Sequence, residues 1–125
     1  MKRPIRVLIA DDHLLFTEAL EAILSGEKRI VVVGRARDGG EAVALTQKLG
    51  PDLVLMDVSM PVLDGIEATR EIRAAGGNAA ILMLTGSNSR SDVDSAREAG
   101  ASGYVTKDRI ASELVEAIVE VAQPG

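Results

Sequence analysis

The strongest constraint on the fold is a regular alternation of short apolar runs with longer segments of helical period. Five runs, mostly rich in β-branched residues, are predicted to be strands: Ile5 to Ala10, Ile30 to Gly34, Leu53 to Met56, Ile81 to Leu84 and Gly103 to Thr106. A helix is expected after each strand, starting near Leu14, Gly40, Gly65, Ser91 and Ser112. Strict alternation, with strand cores apolar on both faces, predicts a parallel sheet covered by helices on both sides.

Local signals mark the ends of several helices. Asp38 with Glu41, and Asp64 with Glu67, place an acceptor before a helix and an acid three positions later, as in a capping box. The predicted helix ends carry glycines at positions 26, 50, 76 and 100. The fourth helix has the thinnest apolar face, so we expect it to be the least firmly packed of the five.

Composition excludes several classes of protein. The chain has 125 residues, about one domain, with 46% hydrophobic residues and a net charge of -5. It has no cysteine and only one tyrosine and one phenylalanine, which excludes a thiolate metal site and an aromatic platform for single-stranded nucleic acid. The negative charge disfavours nucleic-acid binding, and no stretch approaches the roughly 18 apolar residues of a membrane span. We expect a cytoplasmic domain at residues 1–122, followed at 123–125 by the start of a linker or a C-terminal tail.

Polar residues that can carry chemistry follow four of the five strands. Asp11 and Asp12 follow the first strand, Asp57 the third, Thr85 the fourth and Lys107 the fifth. In a sheet of order 2-1-3-4-5 these four strand ends are neighbours, and ligands bind at that edge of an open parallel sheet. Three carboxylates, a hydroxyl and an ammonium group suit Mg²⁺ and a phosphoryl group, with one carboxylate as the nucleophile that forms an aspartyl phosphate.

Taken one at a time, these residues have simpler explanations. Asp11 or Asp12 could cap the first helix, and Asp57 could form a turn. Lys107 could be a solvated surface lysine, and Thr85 an ordinary strand residue. Their joint placement, rather than any single residue, indicates a site.

Two further polar residues lie beside these positions in the sequence. His13 follows the acid pair and could bind a metal, but a solvent-facing position in the first turn of the helix is the simpler interpretation. Tyr104 comes three residues before the lysine and is of the kind that is usually half-buried with its hydroxyl in water.

The motifs follow one another in a specific order: Asp11-Asp12-His13, Leu55 to Pro61, Asp64 to Ala68, Leu84-Thr85 and Gly100 to Asp108. In this order the chain, from Ile5 to about Ala122, resembles a response-regulator receiver domain, the phosphoaccepting half of two-component signalling. The Asp-Asp-His opening and the Gly-Ala-x-Gly-Tyr-x-x-Lys-Asp segment are similar to the NarL/LuxR-type subfamily, which usually carries a helix-turn-helix output domain. The resemblance implies a single doubly wound α/β domain, flavodoxin/CheY-like, with a five-stranded parallel sheet of order 2-1-3-4-5 and five helices.

The resemblance implies a phosphoacceptor and a metal site. Asp57 is the residue that accepts the phosphoryl group. Mg²⁺, with Mn²⁺ as an alternative ion, is held by Asp12, by Asp57 and by the backbone carbonyl of Ser59, while Asp11 acts mainly through a water molecule.

The resemblance also implies a switch. Thr85 and Lys107 hold the phosphoryl oxygens, and Thr85 moves toward the phosphate. Tyr104 turns inward behind it, which reshapes the face made by the fourth helix, the fifth strand and the fifth helix. Two positions depart from common receiver sequences: Asp108 stands where many receivers have proline, and Gly86 stands where alanine or serine is more frequent. Because glycine has no side chain, we expect a more open and flexible loop there.

The partners implied are a sensor histidine kinase or a phosphotransfer protein, and a second copy of the chain in a phosphorylation-dependent homodimer. Binding of nucleic acid or membrane by the domain itself is not expected. The domain catalyses only its own phosphorylation and dephosphorylation, so it is not expected to be an enzyme in the ordinary sense. The expected output is transcription through a DNA-binding domain beyond Gly125, with a stand-alone receiver as the alternative.

Two other functions compete with the phosphoacceptor hypothesis. The first is an interaction module that uses the receiver fold without phosphotransfer. The second is an aspartyl-phosphate phosphatase of the haloacid dehalogenase type, which needs an acid two positions after its nucleophile. Ser59 stands at that position, so the phosphatase is disfavoured.

Overall fold

A computed structural model describes the backbone of residues 3–86 and 90–122, and the side chains of that range other than residues 90–92. The strands are β1 (Ile5–Ala10), β2 (Ile30–Ala36), β3 (Leu53–Asp57), β4 (Ala80–Thr85) and β5 (Gly103–Thr106). The helices are α1 (Leu14–Ser25), α2 (Gly39–Leu49), α3 (Gly65–Ala74), α4 (Arg90–Ala99) and α5 (Ile110–Ala122), with a 3₁₀ turn at Lys107–Arg109. The predicted tail at 123–125 lies outside the described residues.

The five strands form one parallel sheet in the order β2-β1-β3-β4-β5, which confirms the predicted order. All of β3 and most of β1 and β4 are buried, as their apolar sequences predict. The two edge strands are different. β2 and β5 expose part of their length, because an edge strand is covered by neighbours on fewer sides, so the expectation of burial on both faces is wrong for them.

Alternate residues of the central strands point to two separate cores. On one face, Val7 and Ile9 of β1 pack in a cluster with Leu20 of α1 and Leu114 of α5. On the other face, Leu8 of β1 packs in a cluster to which α2, α3 and α4 contribute side chains. Because successive strand residues point to opposite faces, one apolar strand serves both cores. None of the helices in the described ranges is long and apolar enough to cross a membrane.

The capping signals are confirmed at two helices. The Asp38 side chain accepts a hydrogen bond from the Glu41 amide at 2.8 Å, and Asp64 accepts one from the Glu67 amide at 2.8 Å. The Glu41 carboxylate in turn accepts from the Arg37 amide, one residue before the expected capping-box partner. These contacts satisfy amides that the helix itself leaves without an acceptor.

The described side chains of helix α4 bury a thin apolar face, and its C-terminal end is held by α3. The helix buries Ala96 and Ala99, with Val93 partly covered, so its apolar face is as thin as predicted. Beyond the helix, the Arg73 guanidinium of α3 donates two hydrogen bonds to the Gly100 carbonyl, at 3.0 and 3.1 Å. The same guanidinium donates to two carbonyls before β4, so one side chain joins the end of α3, the end of α4 and the start of β4.

Candidate functional site

The predicted site residues lie at one edge of the sheet. Asp57 is the last residue of β3 and is 1% exposed. Asp11 directly follows β1 and is 3% exposed, while Asp12 beside it is more open. Thr85 ends β4, one residue after the partner of Asp57 in the sheet register, and Lys107 directly follows β5. The sheet order therefore brings four strand ends together, as predicted.

The carboxylates form a tight group. One ligand atom from each of Asp11, Asp12, His13 and Asp57 can be chosen so that all lie within 4.8 Å of one another. Such a distance fits donors that share one cation. Among the described residues, the Oδ2 atoms of Asp11 and Asp57 are buried and no hydrogen-bond donor reaches them. A divalent cation with oxygen ligands fits this group, because it would satisfy both buried oxygens and offset the repulsion between the acids.

The other oxygen of Asp57 has partners. Its Oδ1 lies 3.2 Å from the Lys107 ammonium nitrogen and accepts a long hydrogen bond of 3.4 Å from the Ser59 amide. Burial raises the pKa of the Asp57 carboxyl above its ordinary value, and the charge of Asp11 raises it further. Lys107 and the Ser59 amide lower the pKa by less, so the net shift is upward.

His13 is closer to the acids than the sequence predicts. It is the N-cap residue of α1, and its side chain is 64% exposed, in agreement with a solvent-facing position. Its Nδ1 nevertheless lies 3.2 Å from an oxygen of Asp11 and 3.2 Å from one of Asp12. Its backbone amide donates to Asp11 at 2.8 Å, so Asp11 fixes the entry to α1 although neither acid is its N-cap.

Two backbone contacts, one at Gly65 and one around Val62, shape the loop that follows Asp57. The Gly65 amide donates to the Val58 carbonyl, and a Cβ added to Gly65 would lie 2.2 Å from the Asp57 carbonyl oxygen. Val62 has φ 71°, and the Leu63 amide donates across it to Pro61, which makes a γ-turn. A β-branched residue is strained in this region, so Val62 stores strain in the loop that carries Ser59.

Two further predicted site residues, Ser59 and Tyr104, are exposed to solvent. Ser59 is exposed, and its backbone rather than its side chain contacts Asp57.

Tyr104 of β5 is 40% exposed and lies on the side of the sheet that α4 covers. A small apolar cavity there is lined by Val58, Met83, Thr85, Val93, Ala96 and Tyr104. Gly86, which follows Thr85, is exposed, and a Cβ added to it would contact none of the described residues within 4 Å.

One contact of the site was missed in the sequence. The Lys107 ammonium nitrogen lies 4.7 Å from the centre of the Phe16 ring, in the range of a cation–π interaction. The only sequence signal for this contact is that an aromatic residue, Phe16, follows the acid pair by about one helical turn. Its partner is near the other end of the chain, so only the fold shows the contact.

The family model of the response regulator receiver domain matches residues 7–119 of the chain. The chain belongs to this family. Matches of the NarL and LuxR type occur among both the relatives and the solved structures, which confirms the predicted subfamily. The flavodoxin/CheY-like fold class is likewise confirmed.

Three similar proteins illustrate the match. The transcriptional regulatory protein DegU of Brevibacillus brevis is 40% identical over 121 residues, 97% of this chain and 51% of that protein. The receiver domain of the putative response regulator NarL from Mycobacterium tuberculosis has a TM-score of 0.92 at 32% identity, covering 97% of this chain and 98% of that one. The CheX-CheY-BeF3-Mg complex from Borrelia burgdorferi has a TM-score of 0.88 at 26% identity, covering 97% and 91%. The receiver domain spans about half the length of the curated relatives it matches.

Proposed function

We propose that this receiver domain is a phosphorylation-activated signalling switch in which Asp57 is the phosphoacceptor. The observation that carries the proposal is the environment of that carboxylate at the end of β3. It is buried among acids, yet the Lys107 ammonium lies 3.2 Å from one of its oxygens. A nucleophile flanked by a cation and by further metal-binding acids is the arrangement that phosphoryl transfer needs.

The donors present fit Mg²⁺, with Mn²⁺ as the alternative. Asp12, Asp57 and the Ser59 carbonyl would hold the ion, with Asp11 supporting it, and within the described part of the chain no donor reaches the buried Oδ2 atoms of Asp11 and Asp57. Bound there, the ion would neutralise the carboxylates and the incoming phosphoryl oxygens. The related Borrelia burgdorferi CheY, in its complex, carries BeF3 and Mg, which supports the same choice here.

The transfer is a displacement at phosphorus. An Asp57 carboxylate oxygen attacks the phosphoryl group of a partner's phosphohistidine, and the new oxygen–phosphorus bond forms as the phosphorus–nitrogen bond breaks. The electron pair leaves with the imidazole nitrogen, which takes a proton from solvent. Lys107 and the Thr85 hydroxyl bind the phosphoryl oxygens and stabilise their charge. Water later hydrolyses the aspartyl phosphate, so the domain turns over no separate substrate and is not an enzyme in the ordinary sense.

The switch itself uses the cavity behind Thr85. Thr85 lines this cavity together with Tyr104, whose side chain is 40% exposed. If Thr85 moves toward the phosphoryl group, Tyr104 gains room to turn inward, and the surface formed by α4, β5 and α5 changes. The thin apolar face of α4 makes such a shift inexpensive.

The partners follow from this chemistry. A sensor histidine kinase or a phosphotransfer protein in the cytoplasm supplies the phosphoryl group, and a second copy of the chain binds the reshaped face. The output is transcription through a DNA-binding domain, since relatives of about twice this length are named transcriptional regulatory proteins. The receiver domain itself, with a net charge of -5, does not contact DNA.

Beryllofluoride with Mg²⁺ tests the proposal, because it mimics a phosphoryl group on a carboxylate. The chain has one tyrosine, Tyr104, and no tryptophan, so its fluorescence reports on one position of the switch face. We expect a saturable change in the wild type and none in Asp57→Asn. If both proteins respond alike, or neither responds, the phosphoacceptor proposal fails and the interaction module is favoured.

A further inference from the structure

Lys107 is held from two sides. Its ammonium nitrogen lies 3.2 Å from Asp57 Oδ1 and 4.7 Å from the centre of the Phe16 ring. The lysine begins the 3₁₀ turn after β5, whereas the ring belongs to the first turns of α1. The contact therefore joins elements from opposite ends of the chain beside Asp57.

The Phe16 ring is a fixed support. It is partly buried and packs against the core that α1 and α5 share, so it cannot turn freely as a surface side chain would. The lysine side chain is 30% exposed and has four rotatable bonds, so without a second contact it could leave the pocket for solvent. A packed ring beneath a flexible ammonium limits the positions that the ammonium can take.

The ring also leaves the N–H groups of the Lys107 ammonium available for hydrogen bonds. A carboxylate partner engages the N–H groups of a lysine, but an aromatic face attracts its charge without forming conventional hydrogen bonds. When a phosphoryl group reaches Asp57, Lys107 has to exchange the carboxylate for phosphoryl oxygens. A support that does not compete for the N–H groups can remain in place during that exchange.

We propose that Phe16 is a positioning residue for Lys107: its ring holds the ammonium over the phosphoacceptor both before and after a phosphoryl group is bound. The proposal rests on the proposed function, because it assigns to Lys107 the phosphoryl oxygens as partners. It adds a residue of α1 to the phosphoryl-binding apparatus.

The test compares Phe16→Leu, which keeps apolar bulk but removes the ring, with Phe16→Tyr, which keeps the ring. The first readout is the proton shift of the Lys107 Cε methylene, measured by NMR with no phosphoryl mimic present. The second is the affinity for beryllofluoride with Mg²⁺, measured by ¹⁹F NMR. Ile23→Val, a change elsewhere on α1 in the same core, is the matched control for a loss of packing.

In the wild type we expect the methylene protons to be shifted upfield by the ring, and this shift to vanish in Phe16→Leu. Beryllofluoride affinity should fall about 3- to 10-fold in Phe16→Leu, the range of a partly exposed cation–π contact. Phe16→Tyr should keep both the upfield shift and the beryllofluoride affinity at their wild-type values, and Ile23→Val should change neither.

The inference is overturned if the wild type shows no upfield shift, if Phe16→Leu binds beryllofluoride as tightly as the wild type, or if Phe16→Tyr binds as weakly as Phe16→Leu. Failure of the proposed function looks different. There the wild type would not bind beryllofluoride, or Asp57→Asn would bind it equally well, whatever the methylene shift shows.

Discussion

Replacing Asp57 by asparagine is expected to make the fold more stable at neutral pH when no divalent cation is added. The carboxylate is 1% exposed, its Oδ2 has no donor among the described residues, and buried Asp11 is close by. Lys107 at 3.2 Å offsets only part of this cost, since the pKa of Asp57 remains raised. An amide of the same shape carries no charge, and its oxygen can still accept from Lys107 and the Ser59 amide.

The size of the effect follows from the unsatisfied oxygen. A buried acceptor without a partner costs about 1–3 kcal/mol. The asparagine amide can also donate to a neighbouring carboxylate, whereas the ionised Asp57 carboxylate only accepts. We expect Asp57→Asn to raise the free energy of unfolding by about 1–2 kcal/mol, which is about 4–8 °C in melting temperature for a domain of this size.

The pH dependence has a definite sign. Because the folded-state pKa of Asp57 is raised above its ordinary value near 3.8, the ionised carboxylate destabilises the fold. The destabilisation is complete above the raised folded-state pKa. It shrinks as the pH falls through that pKa toward 3.8, since the folded protein then binds a proton at Asp57 more readily than the unfolded chain does. The stability difference between wild type and Asp57→Asn should therefore close in acid.

Urea unfolding followed by circular dichroism measures this difference at neutral and acid pH, with EDTA or with Mg²⁺. Mg²⁺ should stabilise the wild type much more than the variant and so reduce or reverse the gap. Glu18→Gln removes one negative charge at an exposed site of α1 and is the control for net charge. The reasoning is refuted if Asp57→Asn is no more stable than the wild type in EDTA at pH 7, or if Mg²⁺ leaves the gap unchanged.

Three further predictions concern the loop and the helices around the site. Val62→Asn should stabilise the fold by about 1 kcal/mol, because asparagine adopts a positive φ more readily than a β-branched residue; an unchanged or lower urea midpoint would contradict this. Gly65→Ala should cost several times more stability than the control Gly26→Ala, since the added Cβ would lie 2.2 Å from the backbone carbonyl oxygen of Asp57 but meet none of the described residues at position 26; equal urea midpoints would show that the loop yields freely. Arg73→Met should destabilise by about 3 kcal/mol and speed amide hydrogen exchange in α4 more than in α1, because it removes the hydrogen bonds to Gly100; uniform exchange in the two helices would contradict the role assigned to that side chain.

The parts of the fold that follow from local signals could be predicted from the sequence. The caps at Asp38 and Asp64 fix where α2 and α3 begin, and the apolar runs fix the central strands. Two boundaries, the end of β2 and the start of α5, differ by two residues from the prediction, whereas β3 and β4 differ by one residue at one or both ends. β2 continues through Arg35 and Ala36 because their backbones pair with Ile9 and Ala10 of β1, a long-range pairing that an apolar pattern cannot show.

Helix α5 begins at Ile110, two residues before the start predicted near Ser112. The Ser112 hydroxyl donates to the Arg109 carbonyl, so this serine lies inside the helix and does not cap it. The 3₁₀ turn that begins at Lys107 leads directly into the helix, which moves its start toward the site. Boundaries of this kind depend on how one turn continues into the next and carry little sequence signal.

The acids and the lysine of the site could be predicted because each lies at the end of a strand or within two residues after it, and the strand order places those ends side by side. The contacts of His13 and Phe16 could not. His13 lies near Asp11 and Asp12 because of the bend before α1, and Phe16 meets Lys107 only when both ends of the chain are packed on the same face of the sheet. Such contacts depend on the tertiary structure.

The central claim is that Asp57 accepts a phosphoryl group, and the mass of the intact protein tests it most directly. The protein is incubated with Mg²⁺ and a small acyl phosphate, and its mass is compared with that of Asp57→Asn treated in the same way. The account predicts that the wild type gains the mass of one phosphoryl group, mapped to Asp57, while the variant gains none. A wild type that stays unmodified, or a variant that gains the same mass, would contradict it.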